Sequence, residues 1–437
     1  MNITVIGTGY VGLVAGCCFA ESGNNVICVD KDNGKIEQLS KGHSTIYEPG
    51  LSELIERNLQ AGRLTFTTDF RAAVQKSPVL FIAVGTPQIG GEPDLTAINA
   101  VATGIGEAIN EFKVIVIKST VPVGTTEKFG DIVRVKSNWS FDMISNPEFL
   151  KEGTAIDDFI KPNRIIIGIE DARSSTIVSS EIMKELYAPF TRTNSLILIT
   201  DIRTAEMIKY ASNTYLATKI SFINELANLC EEVNADIEIV RRGMGLDARI
   251  GSSFLFPGLG FGGSCFQKDI KALISTGRQH HYQLRILEAV NQVNIDQRKR
   301  FIRKILNHFD QDIAGKRFAI WGLAFKPRTD DMREAPSVDI IESLLAADAE
   351  IIAYDPKAMS EAKRIFGSKI FLAKSAYDCL KDADALLLIT EWQVFQNPNF
   401  QWMKSDMRSP VIFDGRNVFV PNQMRDLGFT YYGVGRK

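Results

Sequence analysis

The stretch "ITVIGTGYVG", Ile3 to Gly12, constrains the fold more than any other part of this chain. A short β-branched run ends in glycines at positions 7, 9 and 12, helix-like sequence follows to Gly23, and "NNVICVD" returns a second strand ending at Asp30. Strand, glycine turn, helix, strand and terminal acid in that register form a dinucleotide-binding βαβ unit. Gly7 permits the tight turn, Gly9 lets the backbone approach a pyrophosphate, and Gly12 allows close packing of helix on strand. Asp30 would accept hydrogen bonds from a ribose and repel a 2′-phosphate. NAD is therefore expected over NADP, with Lys31 and Lys35 as the opposing signal.

Two continuous apolar runs, "PVLFIAVGTP" and "KVIVIKSTVPVGTT", read as further strands of a parallel sheet covered on both faces. They end in Gly85 and Thr86, and in Ser119 and Thr120, at the carboxyl ends where open α/β sheets bind ligands. From Thr204 to Val233 apolar residues recur at helical spacing over a length that can span a two-domain protein. A second α/β pattern then begins: "KRFAIWGLAFKP", "SVDIIESLLAAD", "AEIIAYDP" ending at Asp355, and "ADALLLITEW". Its first loop holds one glycine where the earlier unit holds three, so it is not expected to cradle a pyrophosphate in the same way. The fold class is α/β, with two Rossmann-like α/β domains joined by a long central helix. The expected domains are an NAD-binding domain over 1–200, a helical and dimerisation domain over 201–308, and a second nucleotide-binding α/β domain over 309–437.

A chain of 437 residues with net charge -2 shows no overall basic field, so nucleic acid is not an expected partner. No window offers an uninterrupted apolar run long enough for a membrane span. The six cysteines form no CxxC pair or disulfide-like spacing, which fits a reducing, cytoplasmic setting, and no metal is expected.

One cysteine stands apart. In "FGGSCFQKDI", Phe261 to Ile270, a thiol follows small, flexible residues and precedes a lysine and an aspartate. If a helix opens at Ser264 or Cys265, then Cys265 and Asp269 share a face, and the positive end of the macrodipole favours the thiolate. The stretch alone fits equally a small buried thiol behind a glycine loop.

Eight motifs in order bear on the choice: "GTGYVG", "VGTP", "STVPVGTT", "NPEFLKEGTA", "KYASNTYLA", "FGGSCFQKD", "GLAFKPRTDDMRE" and "FDGRNV". Together they resemble the nucleotide-sugar 6-dehydrogenases from Ile3 to about Val418. The resemblance implies a twofold oxidation of a sugar C6 alcohol to a carboxylate, with two NAD reduced. Cys265 is then the nucleophile that captures the intermediate aldehyde. Lys209 and Asn213, at i and i+4 on the central helix, would hold the C6 oxygen. Glu148 would activate the hydrolytic water, helped by Thr120 and Asp269.

The same resemblance implies a cofactor set of Gly7, Gly9, Tyr10, Val11, Gly12, Asp30, Lys35, Thr86, Thr120, Glu152, Lys268 and Arg333. The implied substrate, UDP-glucose, would meet Glu148, Phe149, Leu150, Lys151, Glu152, Lys209 and Asn213. It would also meet Phe254, Leu255, Phe256, Gly258 and Gly262, and in the last domain Phe325, Lys326 and Arg416. Arg249 matches an arginine that in relatives enters a neighbouring subunit's site, so a homodimer or higher homo-oligomer is expected. Gln267 stands where many relatives carry proline. Ser264 departs from the histidine common in UDP-N-acetylhexosamine enzymes, and GDP-mannose or a UDP-N-acetylhexosamine remains the alternative substrate.

Two other readings compete with this one. A 3-hydroxyacid or 6-phosphogluconate type of dehydrogenase transfers one hydride and has no use for a cysteine nucleophile. A non-catalytic sensor of NAD or a nucleotide sugar would not need a nucleophile, an oxyanion holder and a water activator together.

Overall fold

The computed structural model describes residues 1–170, 177–191 and 196–436. The chain divides into two units, Met1–Ser212 with Lys271–His281 and Asn213–Ile270 with Tyr282–Lys437. The division passes through two continuous helices, Ile202–Val233 and Phe266–Gln279.

In the first unit the strands are β1 (Asn2–Ile6), β2 (Asn25–Val29), β3 (Leu64–Thr67) and β4 (Val79–Ile82), a small hairpin of β5 (Gln88–Ile89) and β6 (Glu92–Pro93), then β7 (Lys113–Ile117), β8 (Phe141–Ser145), β9 (Arg164–Ile169) and β10 (Leu196–Asp201). The sheet order is β10-β9-β8-β7-β4-β1-β2-β3. The order reverses at β1, between β2 and β4, where a doubly wound sheet leaves a crevice at its carboxyl edge. Within this eight-stranded sheet all pairings are parallel except β8 with β9. That one reversal departs from the expected parallel sheet. It makes β9 start at the end where β8 stops, so the segment 146–163 stays at the ligand-binding edge.

The first helix, Tyr10–Glu21, begins directly behind Gly9 and buries Leu13, Val14, Cys17, Cys18 and Phe19. Phe19 packs its ring 5.0 Å from those of Phe81 and Phe159. Truncating such a ring costs about 3–5 kcal/mol, so Phe19→Ala should loosen this helix from the sheet.

The second unit holds β11 (Arg317–Trp321), β12 (Glu350–Tyr354), β13 (Phe371–Leu372), β14 (Ala385–Leu388), β15 (Val411–Asp414) and β16 (Thr430–Tyr432), all parallel, in the order β13-β12-β11-β14-β15-β16. The outline of the first unit repeats here: β11 is flanked by β12 and β14 as β1 is by β2 and β4. The helix Ile202–Val233 runs 32 residues without glycine or proline, as the apolar periodicity predicts. Among the described residues no helix is long and apolar enough to cross a membrane.

Candidate active site

Gly7 lies at φ 101, a left-handed conformation that side chains with a Cβ resist, and a Cβ on Gly12 would fall 1.9 Å from the Gly7 carbonyl oxygen. A Cβ on Gly9 would meet nothing within 4 Å. The loop therefore leaves an open approach to the N-terminus of the first helix, where backbone N–H groups and the dipole favour phosphate. Tyr10 and Val11 are partly buried against the core of the same unit. Asp30, just beyond β2, accepts from the Thr8 N–H and hydroxyl at 2.9 and 2.7 Å and from the Asp32 N–H at 3.1 Å. Partial burial raises its pKa, but the Thr8 and Asp32 bonds and the charge of Lys35 outweigh that and hold it below the usual carboxylate value. This loop, helix terminus and ionised carboxylate fit a dinucleotide. Lys35 itself is exposed, its amide capped by Asp32. Thr86 donates its hydroxyl to the Thr120 carbonyl at 2.9 Å, tying together the segments that follow β4 and β7.

Beyond β8 the chain turns through Asn146, Pro147 and Glu148. Glu148 pairs with Lys209 at 2.8 Å, both side chains almost fully buried, and its second oxygen accepts from the Leu150 N–H at 2.6 Å. Burial pushes the Glu148 carboxyl up. Lys209, the Leu150 amide and the charge of Lys118 more than offset this, so Glu148 stays ionised below its ordinary pKa. Phe149 packs under the Arg164 guanidinium, 3.7 Å from its ring centre, with the Lys209 ammonium at 5.3 Å. Lys151 is exposed and paired with Asp158, and Glu152 is half-buried.

Lys118 was not foreseen. It is buried, bonded at 3.2 Å to both the Asn146 side-chain oxygen and the Tyr187 hydroxyl, and burial brings its pKa down to about 8. Its signal in the sequence is only a lysine at the end of an apolar strand, where burial cannot be told from exposure.

In the second unit the helix opens at Phe266, and the Asp269 N–H bonds to the Cys265 carbonyl at 2.9 Å. Cys265 is thus the residue just before the first turn, one turn from Asp269. It is exposed, whereas the other five cysteines are buried. Asp269 is buried, accepts from the Asn213 side chain at 2.6 Å through one oxygen, and forms an ion pair with Lys268 at 3.0 Å through the other. Gln267 is buried too, bonded to Asn291 at 2.8 Å, a contact that proline could not make.

The loop before the thiol is held by buried polar side chains that no motif announced. Asn294 takes both the N–H and the carbonyl of Phe261, at 2.8 and 3.1 Å. Arg298 bonds to the carbonyls of Phe261 and Glu334, and Asn224 and Gln297 hold the N–H and carbonyl of Gly258. A Cβ on Gly262 would lie 2.5 Å from the Glu334 carbonyl oxygen, so backbone runs against backbone here. Phe254 sits at φ 63, a conformation costing a bulky residue about 1–3 kcal/mol. Leu255 is buried with Ile223, Ala227 and Val434, while Phe256 is exposed with the Arg241 guanidinium over its ring. Arg416 is already bonded to the carbonyls of Ile389 and Phe325 and paired with Glu391, and a Cβ on Gly258 would lie 3.3 Å from its guanidinium. Lys326 lies 5.3 Å from the Phe325 ring centre. Arg333 and Arg249 are exposed and paired with Asp331 and Asp247.

The counterpart of Asp30 behaves differently. Asp355 is buried and takes five donors: the N–H groups of Leu323, Ala324, Lys357 and Ala358, and the Trp392 indole. The loop amides that a pyrophosphate would need are already bonded, and the next helix starts only at Pro336.

Family models match three successive stretches of the chain: the NAD binding domain of the UDP-glucose/GDP-mannose dehydrogenase family over residues 1–191, its central domain over 203–296 and its UDP binding domain over 319–421. A UDP-glucose 6-dehydrogenase from Rhizobium meliloti is 45% identical over 440 residues, covering 100% of both chains. Among solved structures, a UDP-glucose dehydrogenase from Pyrobaculum islandicum superposes with a TM-score of 0.91 at 36% identity, covering 100% of this chain and 98% of that one. A UDP-D-ManNAc dehydrogenase from Pyrococcus horikoshii gives 0.87 at 26% identity, covering 100% and 99%.

Proposed function

The chain belongs to the UDP-glucose/GDP-mannose dehydrogenase family of NAD-dependent enzymes, and from that premise we propose that it oxidises UDP-glucose to UDP-glucuronate through a thioester on Cys265. The observation that carries the mechanism is the placement of Cys265. Of six cysteines it alone is exposed, at the head of a helix, one turn before an aspartate bonded to Asn213.

Lys209 and Asn213 hold the C6 oxygen as the alcohol gives its proton to solvent water. The thiolate of Cys265 adds to the resulting aldehyde carbon, forming a C–S bond while the carbonyl oxygen takes up a proton. Oxidation of that adduct leaves a thioester, whose acyl carbon water attacks; the C–S bond breaks and the thiolate returns. Glu148 takes the proton of that water, a task its ionised state allows. NAD, when bound, accepts the hydride in each oxidation, held by the Gly7–Gly12 loop and Asp30. In this proposal Lys326, Arg416 and the Phe254–Gly262 loop hold the sugar nucleotide, and Arg333 and Lys268 are assigned to the cofactor.

A homodimer belongs to the same proposal. Tyr215, Phe222 and Leu229 lie at seven-residue spacing on the central helix, all exposed, which supports a helix face that a second copy covers. Arg249, 88% exposed, is the residue expected to reach the partner's site. Six thiols without a disulfide support the cytoplasm as its compartment.

The deciding experiment follows NADH absorbance with UDP-glucose, UDP-N-acetylglucosamine, UDP-N-acetylmannosamine and GDP-mannose. Two NADH per UDP-glucose, with the other sugars slower, is the expected result. Turnover of GDP-mannose without turnover of UDP-glucose would overturn the substrate assignment.

A further inference from the structure

Glu48 has no part in the site described so far, yet the residue is only 5% exposed and both its carboxylate oxygens are engaged. One oxygen accepts from the Tyr10 hydroxyl and from the Gly153 N–H at 2.6 Å; the other accepts from the Ala155 N–H at 2.8 Å. The Gly153 N–H also reaches the Tyr10 oxygen at 3.1 Å. Three remote segments of one unit therefore meet on a single side chain.

Each donor has a place in the chemistry. Tyr10 is the first residue of the helix behind the glycine loop. Gly153 and Ala155 close the run Phe149–Glu152 and open the short helix Ala155–Ile160, whose Thr154 makes no side-chain cap. Glu48 thus caps that helix from a hundred residues away in sequence and at the same time holds the tyrosine of the cofactor loop. Only a carboxylate can do this, because its two oxygens accept from diverging donors, whereas an amide offers one acceptor and turns an N–H toward the other.

We propose that Glu48 is a positioning residue that locks the Phe149–Glu152 segment to Tyr10, so that cofactor contacts and sugar-nucleotide contacts keep one fixed spacing. This rests on the assignment of Tyr10 and Glu152 to the cofactor and of Phe149 to Glu152 to the sugar nucleotide. It differs from a role in either site alone: loosening Glu48 disturbs both ligands together.

The test compares wild type, Glu48→Gln and Tyr10→Phe. With Glu48→Gln, KM for NAD and KM for UDP-glucose should both rise roughly tenfold, the factor expected for losing a charge-assisted bond, while kcat falls less than about threefold. With Tyr10→Phe, the NAD dissociation constant measured without sugar should rise by about threefold or more, at a thermal midpoint close to wild type. If Glu48→Gln lowers the thermal midpoint yet leaves both KM values within about twofold of wild type, the carboxylate is structural and the proposal fails. If Glu48→Gln does not fold, an unchanged NAD dissociation constant in Tyr10→Phe overturns it instead. Because the NAD titration contains no sugar, its outcome is separate from whether UDP-glucose is the substrate.

Discussion

Glu148 and Lys209 form an ion pair of 2.8 Å with only 7% and 5% of their side-chain surfaces exposed. Two charges this far from water are tolerable as a pair and costly apart, because the survivor keeps its desolvation penalty and loses its partner. In the proposed site the same pairing keeps the carboxylate ionised and holds the ammonium in place.

Lys209→Met should therefore destabilise the protein by about 3–5 kcal/mol, and adding Glu148→Gln should recover part of that loss without recovering turnover. Urea unfolding of the single and double variants measures the first effect, and NADH production the second. A Lys209→Met variant as stable as wild type would contradict the buried pairing.

Cys265→Ala should bind UDP-glucose nearly as wild type does and fail to yield two NADH per sugar. Cys265→Ser should lose turnover by orders of magnitude, because a serine hydroxyl ionises far less than a thiol and its ester leaves less readily than a thioester. Mass spectrometry of Cys265→Ser after reaction should find an adduct on the introduced serine with a mass near that of the sugar nucleotide. Two NADH per sugar from Cys265→Ala near the wild-type rate would make the thiol structural.

Wild type should use NAD well ahead of NADP, since Asp30 is ionised and stands at the end of β2. Asp30→Ala should cut efficiency with NAD by roughly tenfold and with NADP much less, as removing a charged acceptor costs only the ligand that uses it. Equal efficiency of the two cofactors in wild type would refute the assignment.

Lys118 supplies a pH signature. Its pKa falls from the usual lysine value to about 8 because burial disfavours the charged form. Between about pH 8 and pH 10.4 the unfolded chain then holds more protons on this residue than the native one, so unfolding free energy rises with pH across that window, relative to a variant without the group. Denaturant titrations of wild type and Lys118→Met from pH 7 to pH 10 should show the stability gap between them shift in favour of wild type at the alkaline end. Parallel stability curves would show that Lys118 does not titrate there.

The sequence displayed what depends on backbone period and on rare residue types. Glycines at 7, 9 and 12, an acid at the tip of β2, and thirty residues of helical periodicity each carry a local signature, and the structure puts each where expected. The site's scaffolding left no such trace. Asn224, Asn294, Gln297 and Arg298 sit on long helices where polar residues ordinarily face water, and only the packed structure turns them inward onto the glycine loop. Glu48 is hidden for another reason: its three donors come from segments separated by up to about a hundred positions, and no periodicity links them. The reversal of β9 was equally invisible, because a buried apolar strand reads the same in either direction.

The saturation of Asp355 bears on the timing of the proposed reaction. With that carboxylate and the neighbouring loop amides committed to one another, the second Rossmann-like unit shows, among the described residues, no counterpart of the open Gly9 approach, so the proposed reaction uses one dinucleotide site, at the Gly7–Gly12 loop. Two electron pairs must then leave the sugar one after the other, with a spent carrier departing and a fresh one arriving in the interval. An aldehyde left loose during that exchange would escape or hydrate. In the proposed mechanism the covalent tether on Cys265 holds the sugar through that exchange, and a rapid-mixing experiment with NAD below the enzyme concentration should catch the sugar still bound after the first reduction.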